Sequence, residues 1–250
     1  MKGTDGFPVR IRFNKQGPVR FISHRDLARA FERAFRVGEL PLAFTQGFVP
    51  RPKVGFGLAL SLGHESDAEY LDFELTTDPG VEGLGAIVNQ ALPDGIAVTG
   101  SVALADRAPS LQESVTTVGY DVEVTNEADE PSVAAIEAAL QQALERTVLE
   151  VPRTRKGREV TEDVRPALRR VELLEAEPAS AVLRCELAMQ PRNARPGDLI
   201  AALNSVADPI GARLGERRVV RTHQWIERGG ARLEPLEADP RLRVPEARAS

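Results

Sequence analysis

The stretch FISHRDLARAFERAF, from Phe21 to Phe35, decides how the first part of this chain folds. Ser23 is a favoured N-cap residue, and Asp26 follows three positions later, where the second member of a capping box belongs. Apolar residues then recur at helical spacing and predict one buried stripe: Leu27, Phe31, Ala34 and Phe35. The sequence therefore predicts an amphipathic helix that starts after Ser23 and ends near Gly38, a residue that tolerates the left-handed end of a helix.

Two basic residues, His24 and Arg25, occupy the first turn of this helix, where partial positive charge favours acidic side chains instead. A bound phosphate or carboxylate would remove the conflict, because helix N-termini attract anions. We therefore expect an anionic ligand near Ser23, His24 and Arg25, with Arg29 on the same exposed face. A structural role for His24 stays open, and so does acid–base catalysis by its imidazole.

The patterns around this helix predict a β-α-β-β-α-β order. Val9–Phe13 and the short extended piece PVRFI are expected to form a hairpin, with Lys15 and Gln16 at its tip. KVGFGLALSL and AEYLDFELT alternate over much of their length and predict a second hairpin. A helix over Val81–Leu92 and a strand in IAVTGSVAL complete the unit.

The second half of the chain shows a similar order. It has strands in YDVEVT, AVLRCELAM and RVVRTHQWIE, a strand-and-loop region in VLEVPRTRKGREVTEDVRPALRRVELLE, and two intervening helices. We therefore predict an α+β protein of two tandem ferredoxin-like units with antiparallel sheets. The expected boundaries are residues 1–107 for the first domain, 108–118 for a linker and 119–228 for the second domain. Residues 229–250 are rich in Pro, Arg and Glu without periodicity, which predicts a mobile tail.

Charge is divided unevenly along the 250 residues, although the net charge is only −5. Residues 1–56 hold 11 Lys and Arg against 4 Asp and Glu, residues 57–150 hold 2 against 18, and residues 151–250 hold 19 against 15. The basic segments suggest an anionic partner. The acidic segment 57–150 either pairs with them internally or faces a protein partner.

Several classes of site are disfavoured by composition. The single cysteine, Cys185, excludes an internal disulfide or a cluster held by several thiolates of this chain, and its strand-like surroundings predict a buried, inert thiol. His64, Glu65 and Asp67 lie close together but lack an established metal-ligand spacing, so we predict no metal site and no cofactor. Without a long apolar run or an apolar leader, we expect a cytoplasmic protein with no membrane contact.

Two further segments combine basic residues with features that suit RNA. The loop LAFTQGFVPRPKVGFG carries Arg51 and Lys53 beside phenylalanines that either stack bases or anchor the loop in the core. The segment Arg153–Arg158 surrounds Gly157 and predicts an exposed basic hairpin tip. The full set of predicted anion- or RNA-binding residues is Arg10, Arg12, Lys15, Arg20, Ser23, His24, Arg25, Arg29, Gln46, Phe48, Arg51, Lys53, Arg153, Arg155, Lys156 and Arg158.

The run from VRIRFNKQGPVRFISHRDLARAF to LGHESDAEYLDFEL, together with RTRKGREVTEDVRP and NARPGDLIAAL, closely resembles the bacterial radical-SAM-linked family, a domain of unknown function. Members of that family are fused to, or encoded beside, a cobalamin-type radical SAM protein, often near a gene of the RNase E/G type. The resemblance implies an accessory role to a radical SAM enzyme in RNA metabolism. It supplies no catalytic residue.

A fainter similarity is to the RAMP superfamily of RNA-binding proteins, which also use tandem ferredoxin-like units and a basic cleft. The hypothesis that we favour is a non-catalytic accessory protein of a radical SAM enzyme that binds RNA or presents substrate through a basic surface. One alternative is a metal-independent, RAMP-like RNA endonuclease with His24 as acid and base. Another is a protein-binding scaffold that does not bind nucleic acid.

Overall fold

The computed structural model describes residues 6–78, 80–104, 109–127, 132–155, 157–191, 193–207 and 213–238. The described residues up to Val115 and from Gln224 onward form one compact unit, and Thr116–His223 form another. Helices and mainly antiparallel strands occur in both, which confirms the α+β class. In the described part of the chain, no helix has the length and apolar character required to cross a membrane.

The first unit is built on strands that pair antiparallel around a central strand. Strand β1 (Phe7–Lys15) lies between β3 (Glu65–Leu75) and β4 (Ile96–Ala103), and the short β2 (Val54–Phe56) pairs with β3. The helices of this unit are α1 (His24–Val37), α2 (Leu84–Asn89) and α3 (Leu111–Ser114). The chain order of β1 to β4 with α1 and α2 is thus β-α-β-β-α-β.

Helix α1 packs its predicted apolar stripe into the core of the first unit. Leu27, Phe31, Ala34 and Phe35 are all buried. The Phe31 ring meets the Phe13 ring edge-on at 4.8 Å, and the Phe35 ring lies 4.7 Å from that of Phe73. Ser23 is the N-cap, as predicted: its hydroxyl accepts a hydrogen bond from the Asp26 amide at 3.2 Å and donates one to the Asp26 carboxylate at 2.7 Å. The sequence pattern therefore placed this helix correctly, except that the left-handed residue after it is Glu39, with a φ of +52°, and not Gly38, whose φ is −76°.

Two predicted strands of the first unit differ from the observed structure. PVRFI is not the second strand of a hairpin, because Gly17 takes a φ of +68° and the residues Gly17–Phe21 form a 3-10 helix. KVGFGLALSL keeps its strand only at Val54–Phe56, and after Gly57 the chain leaves β3. Proline and glycine explain the first difference, since Pro18 suits the first turn of a helix and lacks an amide for a strand ladder.

The second unit contains β5 (Thr117–Asn126), β8 (Leu168–Glu177) and β9 (Ser180–Ala188), joined by the first part of β10 (Leu214–Arg228). These strands follow one another in the order β10, β5, β9, β8. Its helices are α4 (Val133–Glu145) and α5 (Pro196–Ala207). A separate hairpin of β6 (Glu150–Arg155) and β7 (Arg158–Asp163) has the exposed Gly157 at its tip, with a φ of +75°, as predicted.

The beginning of the expected mobile tail is ordered. Residues Ala231–Leu233 form β11, which pairs antiparallel with the end of β10 in the first unit. The Glu234 carboxylate contacts Arg12, and the Pro235 carbonyl accepts a hydrogen bond from Arg10. These contacts could not be predicted from the sequence, because Glu234 and Pro235 are single residues outside any periodic pattern. Residues 239–250 lie outside the described residues.

Candidate nucleic-acid interface and an adjoining cavity

The exposed face of α1 carries four arginines, three of which form no ion pair among the described residues. Arg25, Arg29, Arg33 and Arg36 are all exposed. Arg29 pairs with Asp26 at 3.4 Å, whereas Arg25, Arg33 and Arg36 form no ion pair within the described residues. We call these last three residues the α1 basic face. Exposed guanidinium groups in this state are available to an anionic partner.

The loop from Phe44 to Pro52 presents aromatic surface to solvent. Phe48 is fully exposed and Phe44 is half exposed, so neither anchors the loop in the core. The loop is closed by the Thr45 amide, which donates to the Arg51 carbonyl at 2.8 Å, and by a bridge between Phe44 and Pro52. Gln46 and Arg51 are exposed as well. A ring held outward on a closed loop can stack on a nucleobase.

Helix α1 runs along the β2–β3 pair, and this places the loop near one of its ends. At the start of the helix, His24 meets the ring of Phe56 edge-on at 4.8 Å. Toward its end, Phe35 contacts Phe73, the residue that pairs with Val54 at the beginning of β2. The loop 44–52 leads directly into β2, so its exposed rings belong to the end of α1 that carries Arg33 and Arg36. Lys53, which follows the loop, is neutralised by an ion pair with Glu74.

Three other predicted cations form ion pairs within the first unit, so their charges are not available to an external anion. Arg10 is only 3% exposed and forms two hydrogen bonds with the Asp72 carboxylate, at 2.7 and 2.8 Å. Arg12 contacts the Asp67 carbonyl and Glu234. Arg20 lies 3.4 Å from Glu65 and stacks over Phe21. Side chains alternate between the two faces of β1, so Arg10 and Arg12 lie on the face opposite the core residues Val9, Ile11 and Phe13. On that face they meet acidic neighbours.

The predicted basic hairpin of the second unit is also partly neutralised. Arg153 donates to both oxygens of Asp198, with 2.9 Å between Nε and Oδ1, and to Glu162 at 3.2 Å. These bonds, chiefly that to Asp198, raise the pKa of Arg153 above its ordinary value. Arg158 is exposed, whereas Lys156 lies outside the described residues, as does the side chain of Arg155. The predicted cations that stay exposed without an ion pair among the described residues are therefore Arg25 and Arg51 in the first unit and, separately, Arg158 in the second unit.

A cavity of about 340 Å³ lies beside the start of α1, and we call it the Lys15 cavity. Its apolar wall is formed by Ile22, Leu27, Phe56, Gly57, Leu58, Ala59, Leu60 and Leu62. Its polar groups are Ser23 and His24 at exposed positions and the buried side chains of Lys15 and Glu69, which are 4% and 6% exposed. Burial lowers the pKa of Lys15, and the charge of Glu69 partly opposes that shift.

Sequence reasoning placed Lys15 at an exposed hairpin tip and did not identify Glu69. The signal was present in the period-two pattern. Lys15 shares the parity of the buried Ile11 and Phe13 in β1, and Glu69 shares that of the buried Leu71 in β3. A charged residue at a core-facing strand position indicates either an internal partner or a lined cavity.

The cavity offers limited means for acid–base catalysis. His24 forms no hydrogen bond with any described residue, and its ring contact is with Phe56. A catalytic imidazole is usually oriented by a third group, which this histidine lacks in the described part of the chain. No group of three or more potential metal ligands occurs among the described residues. The arrangement suits binding through arginines, exposed rings and a polar-lined cavity.

A second cavity, of about 280 Å³, lies in the second unit. It is lined by Arg153, Glu162 and Asp163 together with apolar residues that include Pro166 and Pro191. Its charged groups are largely matched, because Arg153 pairs with Glu162, and Asp163 accepts backbone hydrogen bonds from Leu149 and Arg165.

Comparisons with known proteins give a family but no function. The curated proteins include no match. The solved structure described as "Crystal Structure of a Cbf5-Nop10-Gar1 Complex" is similar with a TM-score of 0.46 at 16% identity, covering 88% of this chain and 50% of that chain. The "archaeal box H/ACA sRNP Nop10-Cbf5 complex" has a TM-score of 0.46 at 11% identity, with 88% and 49% coverage, so this chain spans about half the length of both. Residues 9–196 match the family described as "Uncharacterized protein conserved in bacteria (DUF2344)", and the chain belongs to that family, which confirms the bacterial family of unknown function expected from the sequence.

Proposed function

We propose that this chain is a non-catalytic accessory protein that binds single-stranded RNA through the α1 basic face and the loop 44–52. One observation carries the proposal. Arg25, Arg33 and Arg36 stand exposed without a carboxylate partner in the described structure, whereas Arg10, Arg12, Arg20 and Arg153 are each paired. These three unpaired guanidinium groups share one face of α1, and the same unit carries the exposed rings of Phe44 and Phe48.

RNA fits these two features better than a generic acidic partner does. Phosphates bound by arginine release condensed counterions, which gives affinity without sequence preference. A fully exposed phenylalanine such as Phe48 supplies a stacking surface that tolerates any base. An acidic protein would use the arginines but would not need a ring held away from the core.

The link to a radical SAM enzyme also belongs to the proposal, and it is supported by the resemblance of the chain to the radical-SAM-linked family. The single cysteine of this chain supplies too few thiolates for a three-cysteine iron–sulfur cluster. Radical chemistry would therefore take place on the partner, with this chain holding the RNA. The acidic segment 57–150 is the part of the chain that we assign to the protein partner.

We further propose that both units are ferredoxin-like domains. The supporting observation is the strand order, β4-β1-β3-β2 in the first unit with α1 and α2, and β10-β5-β9-β8 in the second with α4 and α5. The β6–β7 hairpin is then an insertion in the second domain. The boundary between the domains falls in the proposed linker, residues 108–118, which includes α3.

A charge-matched pair of variants tests the RNA-binding proposal. The first variant changes the α1 basic face to glutamine at Arg25, Arg33 and Arg36. The control changes three exposed, carboxylate-paired arginines of the second unit, Arg170, Arg184 and Arg217, and loses the same charge. Affinity for a labelled single-stranded RNA of twelve nucleotides is measured by fluorescence anisotropy in 0.1 M monovalent salt.

We expect the α1 variant to bind about 100-fold more weakly than the wild type, since each phosphate contact to a single strand adds a salt exponent near 0.7. The control should bind within about threefold of the wild type, because it lacks only screened surface charges. Equal losses in both variants would show that net charge alone drives binding and would refute the proposed interface. Cleavage of the RNA by the wild type in EDTA, abolished by His24→Ala, would favour the endonuclease alternative.

A further inference from the structure

The Lys15 cavity opens where the α1 basic face begins. Ser23 and His24 belong to the first turn of α1, immediately before Arg25, and both line the cavity. Leu62, which is largely exposed, lies at the same mouth. A strand bound along α1 would therefore pass over the opening. The cavity volume, about 340 Å³, is at the lower end of sites that hold small molecules.

Lys15 lines the cavity, and one N–H of its buried ammonium group has no acceptor among the described residues. Lys15 Nζ donates to the Arg20 carbonyl at 3.2 Å and to the Ile22 carbonyl at 3.5 Å. An ammonium group has three N–H donors, and among the described residues Lys15 makes these two hydrogen bonds and no other. Because a buried donor without an acceptor is costly, an acceptor that enters the cavity would gain free energy there.

The charges of Lys15 and Glu69 in the cavity wall favour a neutral acceptor over an anionic one. Glu69 lines the same cavity, is about as buried as Lys15, and its negative charge partly compensates the burial of the ammonium group. A phosphate or carboxylate at this depth would face the carboxylate of Glu69 and would lose its own hydration. A neutral carbonyl oxygen avoids both costs, and the aliphatic and aromatic wall accommodates the ring that bears it.

We propose that the Lys15 cavity receives one unstacked base of the bound RNA strand and prefers bases with a ring carbonyl, an inference that rests on the proposed RNA binding. Guanine, uracil and cytosine each carry a carbonyl oxygen, whereas adenine has none. Lys15 donates to that oxygen, and the wall around Phe56 packs against the base. Recognition of single strands through splayed bases is common in RNA-binding proteins.

The experiment compares two twelve-nucleotide RNAs, oligo(A) and the same oligo(A) with two central uridines, on wild-type protein and on Lys15→Met. We expect the wild type to bind the uridine-containing strand about tenfold more tightly, since one specific base contact discriminates by that order. Lys15→Met should bind both strands equally while its affinity for oligo(A) stays within about twofold. The difference between the two proteins removes the effect of intrinsic base stacking.

A second variant tests the same proposal in case Lys15→Met does not fold. Ala59 is exposed and lines the cavity, so Ala59→Leu narrows the space without removing a hydrogen bond or adding an aromatic ring. It should also abolish the preference for uridine. Equal binding of both strands by the wild type, with loss of both in the α1 variant, would overturn the cavity proposal and leave the interface intact. Failure of the wild type to bind either strand would overturn the interface itself.

Discussion

Removal of the Asp72 carboxylate tests whether Arg10 is structural. Arg10 is 3% exposed and donates to both oxygens of Asp72, and Nη1 also bonds to the Pro235 carbonyl at 3.2 Å. Asp72→Ala leaves this guanidinium buried without its counter-charge, which costs about 3–5 kcal/mol in comparable buried pairs. The Asp72 side chain is 29% exposed, so water can partly replace it and we expect the lower end, about 3 kcal/mol.

The measurement is urea denaturation at pH 7, followed by the fluorescence of Trp225, the only tryptophan, which belongs to the first unit. The double variant Arg10→Met with Asp72→Ala should recover part of the loss, because it leaves no buried charge. RNA affinity should be unchanged in the double variant. A loss below about 1 kcal/mol for Asp72→Ala, the range of exposed ion pairs, would refute the reasoning.

Three further predictions concern the cap of α1, the buried lysine and the buried thiol. Ser23→Ala removes the acceptor for the Asp26 amide and should lower the free energy of unfolding by about 1 kcal/mol, whereas Ser23→Thr should retain most of it in urea denaturation. Burial lowers the pKa of Lys15 from its ordinary 10.5. Between the folded-state pKa and about 10.5 the unfolded chain therefore binds more protons, and the free energy of unfolding rises with pH. Lys15→Met should lack this rise, and identical pH profiles of stability for the two proteins would contradict the prediction. Burial raises the pKa of Cys185, so iodoacetamide should label it at pH 8 only after denaturation, and rapid labelling of the folded protein, measured by mass spectrometry, would contradict its buried position.

Local patterns were sufficient to predict α1 and most strands. The cap at Ser23 and the stripe through Phe31 depend on neighbours within one or two turns, so the sequence contains all that is needed. The 3-10 helix Gly17–Phe21 was missed because a short extended piece and a proline-initiated turn share the same composition. The contacts of Glu234 and Pro235 with β1 join residues more than 200 positions apart, and no local pattern indicates them.

The candidate site shows the same division more sharply. Arg10 and Arg25 look alike in the sequence, yet one is buried against Asp72 and the other is exposed without an ion pair in the described structure. The difference lies in the Asp72 carboxylate, which only the tertiary structure brings to Arg10. Glu69 could have been identified from the sequence, because it is a charged residue at a core-facing strand position. That it lines the same cavity as His24 could be learned only from the three-dimensional structure. The interface is therefore smaller than the basic residues of the sequence suggest.

The salt dependence of RNA binding tests the central claim most directly. The dissociation constant for a twelve-nucleotide single strand is measured from 50 to 300 mM monovalent salt, for the wild type and for the variant with glutamine at Arg25, Arg33 and Arg36. Each lost phosphate contact removes about 0.7 from the slope of log affinity against log salt, so the variant should show a slope smaller by about 2. Equal slopes for the two proteins, or wild-type binding that is insensitive to salt, would contradict the claim that these three arginines hold the RNA backbone.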